Sequence, residues 1–386
     1  MGKTRRPLAV ELIAELETID KKTKAADRDL RELVIARGST LLDLHGIGPS
    51  GAADALIGLL EHYARAADPA VERAGRRPDD EFGLATEGMN STRGVAAAAI
   101  GQILFADGTH ATRLLPIVAE LAADPILSVR AEATRPVLAL FNSHLEQALD
   151  IADSLFATSA IEIHHSNAAN RLLTYAIYRS GTRFSRYLNR ALEEEDPIAA
   201  RAGHIWANAL LNDLVPAACP SDVTDLPVQA RQGAAQTLAT APHLAPDMLL
   251  GLFDDEDPEV RKAAAAAIRV LHEPDSASIS ERVVAAFAAS RAFPDHFGDL
   301  FRALERSLRL LPSTTIIACE RAVEHAGVEL GDLSRAAAAV SRDIVTVVLR
   351  LYRQGDAAMR DRCLDVVDKL ADVGAYGLPE ALQHER

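Results

Sequence analysis

The side chains best suited to acid–base or metal chemistry are two adjacent histidines, His164 and His165, which lie close to Glu162. Neighbouring residues of a helix point about 100° apart, so two adjacent imidazoles do not easily bind one metal ion together. The sequence also has no His-Glu-x-x-His zinc motif and no Gly-x-Ser-x-Gly nucleophile motif. We therefore predict that both histidines have a core or surface role. We expect no catalytic residues, no metal site and no cofactor.

Two other short motifs invite a chemical interpretation. Gly2-Lys3-Thr4 matches only the end of a Walker A motif, and without the preceding glycine loop and strand we expect no phosphate-binding loop there. His204 and Trp206 lie in a predicted repeat helix, where a core or surface role is expected.

The acidic runs 193–196 and 254–257 are predicted to be solvated turns that help to cap helices. The alternative for these runs is an acidic ridge that binds a basic partner.

A candidate DNA contact lies at Gly46-Ile47-Gly48, where two glycines form the tight turn of a helix-hairpin-helix pattern. The backbone amides of such a turn can bind a DNA phosphate. Ser50 and Gly51, however, occupy the positions where DNA-binding hairpins usually carry lysine or arginine. The nearest basic residues are Lys21, Lys22, Lys24 and Arg28. We prefer a simple helical turn and keep DNA contact as the alternative.

The composition favours helices and disfavours binding to polyanions. The 386 residues carry a formal net charge of −14, so the chain as a whole should repel nucleic acid and anionic membranes. The hydrophobic fraction is 48% but the aromatic fraction only 4%, and the abundant Ala and Leu favour helix over strand. No apolar run reaches the roughly 18 residues of a membrane span.

The cysteines and the N-terminus predict a cytoplasmic location. Cys219, Cys319 and Cys363 are far apart in sequence, unlike the clustered cysteines of a disulfide framework or a zinc site. We predict three structural thiols in a reducing compartment. The basic segment from Met1 to Pro7 is not followed by an apolar stretch, so a secretory signal peptide is not expected.

A short box recurs at intervals of roughly 30–40 residues, a period typical of stacked helical hairpins. Each copy begins with Asp, usually has Pro next or nearby, ends with Arg and precedes an Ala-rich helical pattern. The Asp is predicted to cap the helix, and Pro suits its first turn. The Arg lies one turn further on, where it can reach back to the Asp of its own or a neighbouring repeat. The predicted structural ladder comprises Asp124, Arg130, Asp196, Arg201, Asp225, Arg231, Asp257 and Arg261.

The pattern divides the chain into three predicted regions. Residues 1–60 form a long helical arm, with a helical pattern over 8–36, followed by the helix-hairpin-helix. Residues 61–89 carry turn signals without periodicity and are predicted to be a linker or an N-terminal cap. Residues 90–386 are helical throughout, with separate helices predicted at 161–180 and 183–192, at 331–340 and 342–353, and at 357–373. The predicted fold class is an all-α solenoid of about seven repeats.

The box at 255–268 resembles the HEAT repeat, whose second helix commonly opens with Asp-x-x-x-x-Val-Arg followed by Ala and Leu. The resemblance extends over about 90–386. It implies a non-enzymatic scaffold that binds a protein partner on the solenoid surface, because HEAT-like arrays serve many partners.

Three further stretches resemble parts of two other families. The segment Asn90-Ser91-Thr92-Arg93-Gly94 and the stretch 349–378 are similar to the repeat tails of large bacterial defence and signalling NTPases, although the nucleotide-binding part of those proteins is missing here. Residues 11–58 resemble the helix-hairpin-helix start of an insertion-sequence transposase C-terminal domain. These resemblances imply a sensor tail fused to a transposase remnant. The alternatives are a DNA-binding protein derived from a transposase and a non-functional fusion product.

Overall fold

The computed structural model describes residues 51–68, 81–195, 197–272, 277–307 and 311–384. Within these ranges it contains seventeen α-helices and no β-strand, which confirms the predicted all-α class for this part of the chain. No helix in the same ranges is long and apolar enough to cross a membrane. The predicted arm at 8–36 and the hairpin glycines lie outside the described residues.

Contacts divide the chain into two compact units, which are described separately. Unit 1 extends to Ile205 and includes Asn212–Cys219, whereas unit 2 comprises Trp206–Leu211 and the chain from Pro220 onward. This division falls inside one helix, whereas the sequence pattern places a boundary at 61–89. The structural division separates groups of helices that contact each other most densely. The boundary predicted from the sequence marks where the helical repeat pattern begins.

Unit 1 is built around one central helix. Its helices are α1 (Gly51–Tyr63), α2 (Glu81–Met89), α3 (Thr92–Ala106), α4 (Ala111–Ala122), α5 (Leu127–Leu140), α6 (Leu145–Thr158), α7 (Asn167–Leu192) and the first part of α8 (Ile198–Leu211). Helix α5 packs against α2, α3, α4, α6 and α7. Its side chains Val129, Ala133, Val137 and Leu140 are fully buried. Their spacing of four, four and three residues is that of one helical face.

Unit 2 contains two layers of helices. Its remaining helices are α9 (Val228–Leu238), α10 (Pro246–Gly251), α11 (Pro258–Ala265), α12 (Ala277–Ala289), α13 (Phe293–Arg306), α14 (Pro312–Ala326), α15 (Ala336–Gln354), α16 (Ala357–Asp372) and α17 (Leu378–His384). Helices α9, α11, α13 and α15 form one layer, with the 3₁₀ segment Ala266–His272 between α11 and α13. Helices α10, α12, α14 and α16 form the other. Phe253, Phe287 and Phe293 pack in the core with ring centroids 5.5 and 5.8 Å apart.

Part of the segment predicted as a linker is helical. Helix α2 covers Glu81–Met89, packs against α3 and α5, and buries Leu84. A nine-residue helix with one buried leucine gives no clear periodicity, so its stability comes from its neighbours rather than from its own sequence. The turn signals at residues 69–80 lie outside the described residues.

One predicted helix break is absent and another is present. The break predicted between 331–340 and 342–353 is absent, because the helix α15 runs from Ala336 to Gln354 without interruption. The chain from 161 begins instead as a 3₁₀ turn, Ile161–His165, followed by α7, in which Ser180 has non-helical dihedral angles (φ −155°, ψ 64°) and marks a kink. The predicted division into two helices near 180 is therefore confirmed, with the kink at Ser180 separating the two parts of α7.

The Asn-Ser-Thr-Arg-Gly segment is a packing joint between α2 and α3. Ser91 caps α3 by accepting a hydrogen bond from the Gly94 amide, and its hydroxyl donates to the Gly88 carbonyl at 2.9 Å. The Thr92 amide and hydroxyl both donate to Asp68. A Cβ atom on Gly94 would lie 2.2 Å from the Gly88 carbonyl oxygen, so only glycine fits there. Packing thus accounts for these residues without a ligand.

The three cysteines are free and buried. Burial raises the pKa of all three thiols, that of Cys219 to about 11. A thiol that stays protonated is a poor nucleophile. Their burial is consistent with the structural role predicted for them.

Candidate partner-binding surface

Two arginines of the repeated box, Arg231 and Arg261, reach forward to carboxylates later in the chain. Arg231 donates to Asp255 from Nε at 2.8 Å and from Nη2 at 3.2 Å, and its Nη1 donates to the Leu226 carbonyl. Arg261 also binds carbonyls and a carboxylate, with Nη1 on the carbonyls of Asp255 and Glu256, but only its Nη2 reaches Asp295, at 3.4 Å. The carboxylates they bind are therefore outside the predicted set.

The box aspartates differ in what they do. Asp257 caps α11 by accepting hydrogen bonds from the amides of Glu259 and Val260. Asp124 accepts from the Ile126 amide, and its carboxylate pairs with Arg93 rather than with Arg130. Asp225 is exposed at the end of a 3₁₀ turn, and α9 begins after Pro227 without a side-chain cap. Asp196 lies outside the described residues.

Several arginines bind the carbonyl ends of other elements. Arg130 donates to the Thr158 carbonyl at the end of α6, and Arg201 donates to the carbonyls of His164 and His165. Arg350 on α15 likewise donates to Leu304, Glu305 and Ser307 at the end of α13. The last carbonyls of a helix lack intrahelical donors and carry partial negative charge. A guanidinium provides both the missing hydrogen-bond donors and a compensating positive charge. These arginines connect helices and leave little capacity for a ligand.

The remaining predicted chemical residues are also used in packing. His164 is buried, its Nδ1 donates a hydrogen bond to the Asn170 Oδ1 at 2.9 Å, and its ring stacks on Phe156. Burial lowers the pKa of its imidazole to about 4. Trp206 is buried and donates to the Pro220 carbonyl. No cluster of potential metal ligands occurs among the described residues.

The acidic run 254–257 is similarly occupied. Asp254 accepts the Arg291 amide, Asp255 binds Arg231, and Asp257 caps α11. It is therefore a structural turn, as predicted, rather than a free acidic ridge.

The candidate DNA-contact residues cannot be placed. Gly46, Ile47, Gly48, Lys21, Lys22 and Lys24 all lie outside the described residues. Their role therefore stays a prediction from the sequence.

A groove of about 440 Å³, which we call the unit 1 groove, runs along α3, α5 and the start of α7. Phe105, 54% exposed, and half-buried Leu138 provide apolar surface. Arg135 and Arg171 are exposed beside them, and no carboxylate lines the groove. A Cβ atom on Gly101 would lie 3.1 Å from the backbone nitrogen of Pro136, so the glycine allows α3 and α5 to approach closely. The groove thus combines an exposed aromatic ring with two cations.

Unit 2 has two adjacent grooves on the layer formed by α11, α13 and α15. The basic groove, about 380 Å³, lies between α13 and the stretch formed by α11 and the 3₁₀ segment. The acidic groove, about 370 Å³, lies between α13 and α15. Both are lined by His296, Asp299 and Arg302, so they share α13 as a common wall.

These surface residues were not predicted from the sequence. Phe105 is the one groove residue that the sequence could have indicated, because a large aromatic side chain on an Ala-rich helix lies either in the core or on an interaction surface. The groove arginines give no local signal, because an exposed arginine on a helix is ordinary. Only the packing of neighbouring helices shows that they line a common depression.

Comparison with known proteins finds a family match over one short stretch of the chain. The HEAT repeat family matches residues 247–273, which include α10 except for Pro246, α11 and the turn that joins them. The crystal structures of Kap121p and of a Kap121p mutant are similar, with TM-scores of 0.41 and 0.42 and sequence identities of 11% and 12%. Each alignment covers 95% of this chain and 46% of that chain, so the chain spans about half the length of Kap121p. A search of curated proteins gives no match.

The fold class is therefore an α-solenoid type with HEAT-like repeats. Within each unit, neighbouring helices of one layer leave grooves at the surface, while the box arginines and aspartates join the repeats. The groove residues, rather than the box residues, are the candidates for binding.

Proposed function

We propose that this chain is a non-enzymatic protein-interaction scaffold that binds segments of a partner protein in the grooves of its helical layers. The observation that carries the proposal is the unit 1 groove, where Phe105 is 54% exposed between two exposed arginines. A large apolar side chain beside arginine is typical of the anchor points of protein interfaces. The HEAT-repeat match supports the same class of function, since such repeats provide extended binding surfaces.

Site-specific photocrosslinking in cells tests this proposal. A photoreactive phenylalanine analogue at Phe105, or at exposed Ala339 in the acidic groove, should crosslink to partner protein. The matched controls are Gln147 on α6 and Ile317 on α14, which are exposed but outside the grooves. Phe105→Ala should then weaken binding of the purified partner by about tenfold, as loss of an aromatic anchor does. Equal crosslinking from groove and control positions would refute the proposal.

The more specific origin is proposed from sequence resemblance. Residues 90–386 are proposed to be a sensor-type tail of a bacterial defence NTPase, and residues 1–60 a transposase remnant. A neighbouring ATPase or protease gene would favour the defence role, whereas insertion-element ends would favour a decayed fusion product. A genomic locus without insertion-element remains would count against the transposase origin.

DNA binding is the alternative from a different class. It is supported by the hairpin Gly46-Ile47-Gly48 and by the basic residues Lys21, Lys22 and Lys24. DNA binding would appear as salt-sensitive retention on DNA that charge reversal of the three lysines abolishes. If the full-length protein is not retained even at low salt, the alternative is excluded.

A further inference from the structure

The two grooves of unit 2 carry opposite charge. The basic groove is lined by Lys262, Arg269, Arg302 and Arg306, against the single carboxylate of Asp299, which gives a net charge of +3 with histidine neutral. This is a local reversal in a chain whose formal net charge is −14. Arg269 and Arg306 are exposed, and no carboxylate of the described residues is within ion-pair distance of either. Both guanidinium groups therefore provide positive charge at the surface of the groove.

The floor of the basic groove is small and apolar. Ala265, Ile268 and Ala303 line it and are nearly buried. Small side chains at the floor let a backbone approach the helices closely, while the long basic side chains reach out from both walls. This shape suits an extended or helical peptide that carries carboxylates on the side facing the groove.

The acidic groove has the opposite balance of charge. Asp295, Asp299 and Asp343 line it against Arg302, which gives the lining residues a net charge of −2, and Arg261 lies 3.4 Å from Asp295. Burial, followed by the charge of Glu305, raises the pKa of Asp343, while the charges of Arg302, Arg306 and Arg342 oppose the shift. A cationic side chain placed between Asp343 and Glu305 would relieve their repulsion. The acidic groove therefore suits a lysine or arginine of the ligand.

We infer that the face of unit 2 formed by α11, α13 and α15 binds a bipolar protein segment, with its carboxylates in the basic groove and its lysine or arginine residues in the acidic groove. This inference rests on the proposed scaffold function and specifies the chemistry of its partner. A nucleic acid is less suited to this face, because a uniformly anionic backbone that crosses α13 would meet Asp295 and Asp343. Complementary charge chiefly fixes the orientation of a partner and the rate of encounter.

Fluorescence anisotropy at low salt with the full chain tests the inference. The probe is a labelled peptide of four glutamates, two glycines and four lysines. The comparison probes are a peptide of the same composition with alternating charges and a ten-nucleotide single-stranded DNA. The block peptide should bind at least about tenfold more tightly than either comparison probe, and added salt should weaken its binding.

Matched charge reversals locate the binding. The double variant Arg269→Glu/Arg306→Glu should weaken binding of the block peptide by about tenfold or more. The control Arg282→Glu/Lys369→Glu reverses two half-exposed cations on α12 and α16, in the other layer of unit 2, and should change affinity less than twofold. Circular dichroism establishes that both variants are folded before affinity is compared.

Three results would overturn the inference: equal loss in the two double variants, equal binding of the alternating peptide, or tighter binding of the DNA. If photocrosslinks still form specifically at Phe105 and Ala339, the scaffold function stands and only the bipolar ligand is wrong. If groove and control positions crosslink equally, the scaffold function itself fails.

Discussion

Arg93 and Asp124 form a buried bidentate ion pair in unit 1, with Nε 2.7 Å and Nη2 3.2 Å from the two carboxylate oxygens. Their side chains are 9% and 7% exposed. The third guanidinium nitrogen donates to the Ala66 carbonyl, and Asp124 also accepts the Ile126 amide. The pair thus joins α3 to the turn before α5 and to the end of the chain segment that follows α1.

The same arrangement recurs in unit 2. Arg231 and Asp255 form a bidentate ion pair of the same geometry. The Nη1 of Arg231 donates to a carbonyl, and the Asp255 carboxylate accepts a hydrogen bond from the Asp257 amide. Two copies with the same donors and acceptors identify a repeated joint rather than an isolated salt bridge. The joint connects segments of consecutive repeats, which is the role predicted for the ladder, but each joint contains only one ladder residue: Asp124 pairs with Arg93, and Arg231 pairs with Asp255.

Arg93→Met is expected to destabilise the protein by about 3–5 kcal/mol, because it leaves the Asp124 carboxylate buried without its partner. Urea denaturation followed by circular dichroism measures the change. The control is Arg65→Met, which removes an equally short ion pair with Glu120 whose side chains are about half exposed. Exposed pairs contribute roughly 1 kcal/mol or less, so the control should be nearly neutral. Similar losses in the two variants would show that burial of the Arg93 pair has no energetic consequence.

Asp257→Ala is expected to cost about 1 kcal/mol, because it removes the side-chain acceptor for two amides in the first turn of α11. Asp225→Ala changes the corresponding residue of another box copy, but Asp225 is exposed and does not cap α9. That variant should shift the denaturation midpoint little. If both alanine variants lose the same stability, the distinction between the two box copies is wrong.

The contacts of the box residues show which features can be predicted from the sequence alone. The cap at Asp257 was predictable because capping is local, with both amides within three residues of the carboxylate. The ion pairs were not, because Arg231 binds 24 residues ahead at Asp255 and Arg93 binds 31 residues ahead at Asp124. In both cases the partner is selected by how the repeats stack.

Helices, too, were predictable from the sequence where the pattern that specifies them is local. Continuous amphipathic patterns such as that of α16 were predicted to within one residue, at 357–373 against Ala357–Asp372. Helix α2 lies in the segment predicted to be a linker or an N-terminal cap. Its helical structure was not predicted, because its one buried leucine stabilises it only when α3 and α5 are in place. The grooves were not predictable for the same reason, since Phe105 and Arg171 are 66 residues apart and meet only through packing.

Glu132→Gln is expected to stabilise the protein at pH 8 and to have little effect at pH 4. The Glu132 side chain is 7% exposed, its Oε2 accepts no hydrogen bond, and the nearest cation is Arg135 at 3.4 Å. Burial raises the pKa of this carboxyl above its ordinary value of 4.5. The unfolded chain therefore ionises first as the pH rises, and stability is lost between the ordinary and the raised pKa.

Thermal unfolding of the wild type and of Glu132→Gln from pH 4 to 8 measures this difference. The gain in melting temperature should increase with pH and then level off above the raised pKa. Glu281→Gln, which removes an exposed carboxyl from α12, controls for the loss of one negative charge. A gain that does not vary with pH would contradict ionisation of Glu132 as its cause.

His164 is expected to make the protein sensitive to mild acid. Burial, followed by the charges of Arg190 and His165, lowers the pKa of its imidazole from 6.5 to about 4, while the hydrogen bond with Asn170 opposes the shift. The unfolded chain therefore binds a proton first as the pH falls, so stability is complete above pH 6.5 and is lost as the pH approaches 4. At pH 5 the loss amounts to ~2 kcal/mol.

Urea denaturation at pH 7 and pH 5 isolates this contribution. His164→Phe retains an aromatic ring against Phe156 but cannot bind a proton, so it should lose about 2 kcal/mol less than the wild type between the two pH values. His243→Phe, at an exposed position, should lose as much as the wild type. Because the missing Asn170 hydrogen bond weakens His164→Phe at both pH values, only the difference between them reports on the proton. Equal acid sensitivity in the wild type and His164→Phe would show that His164 titrates normally in the folded protein.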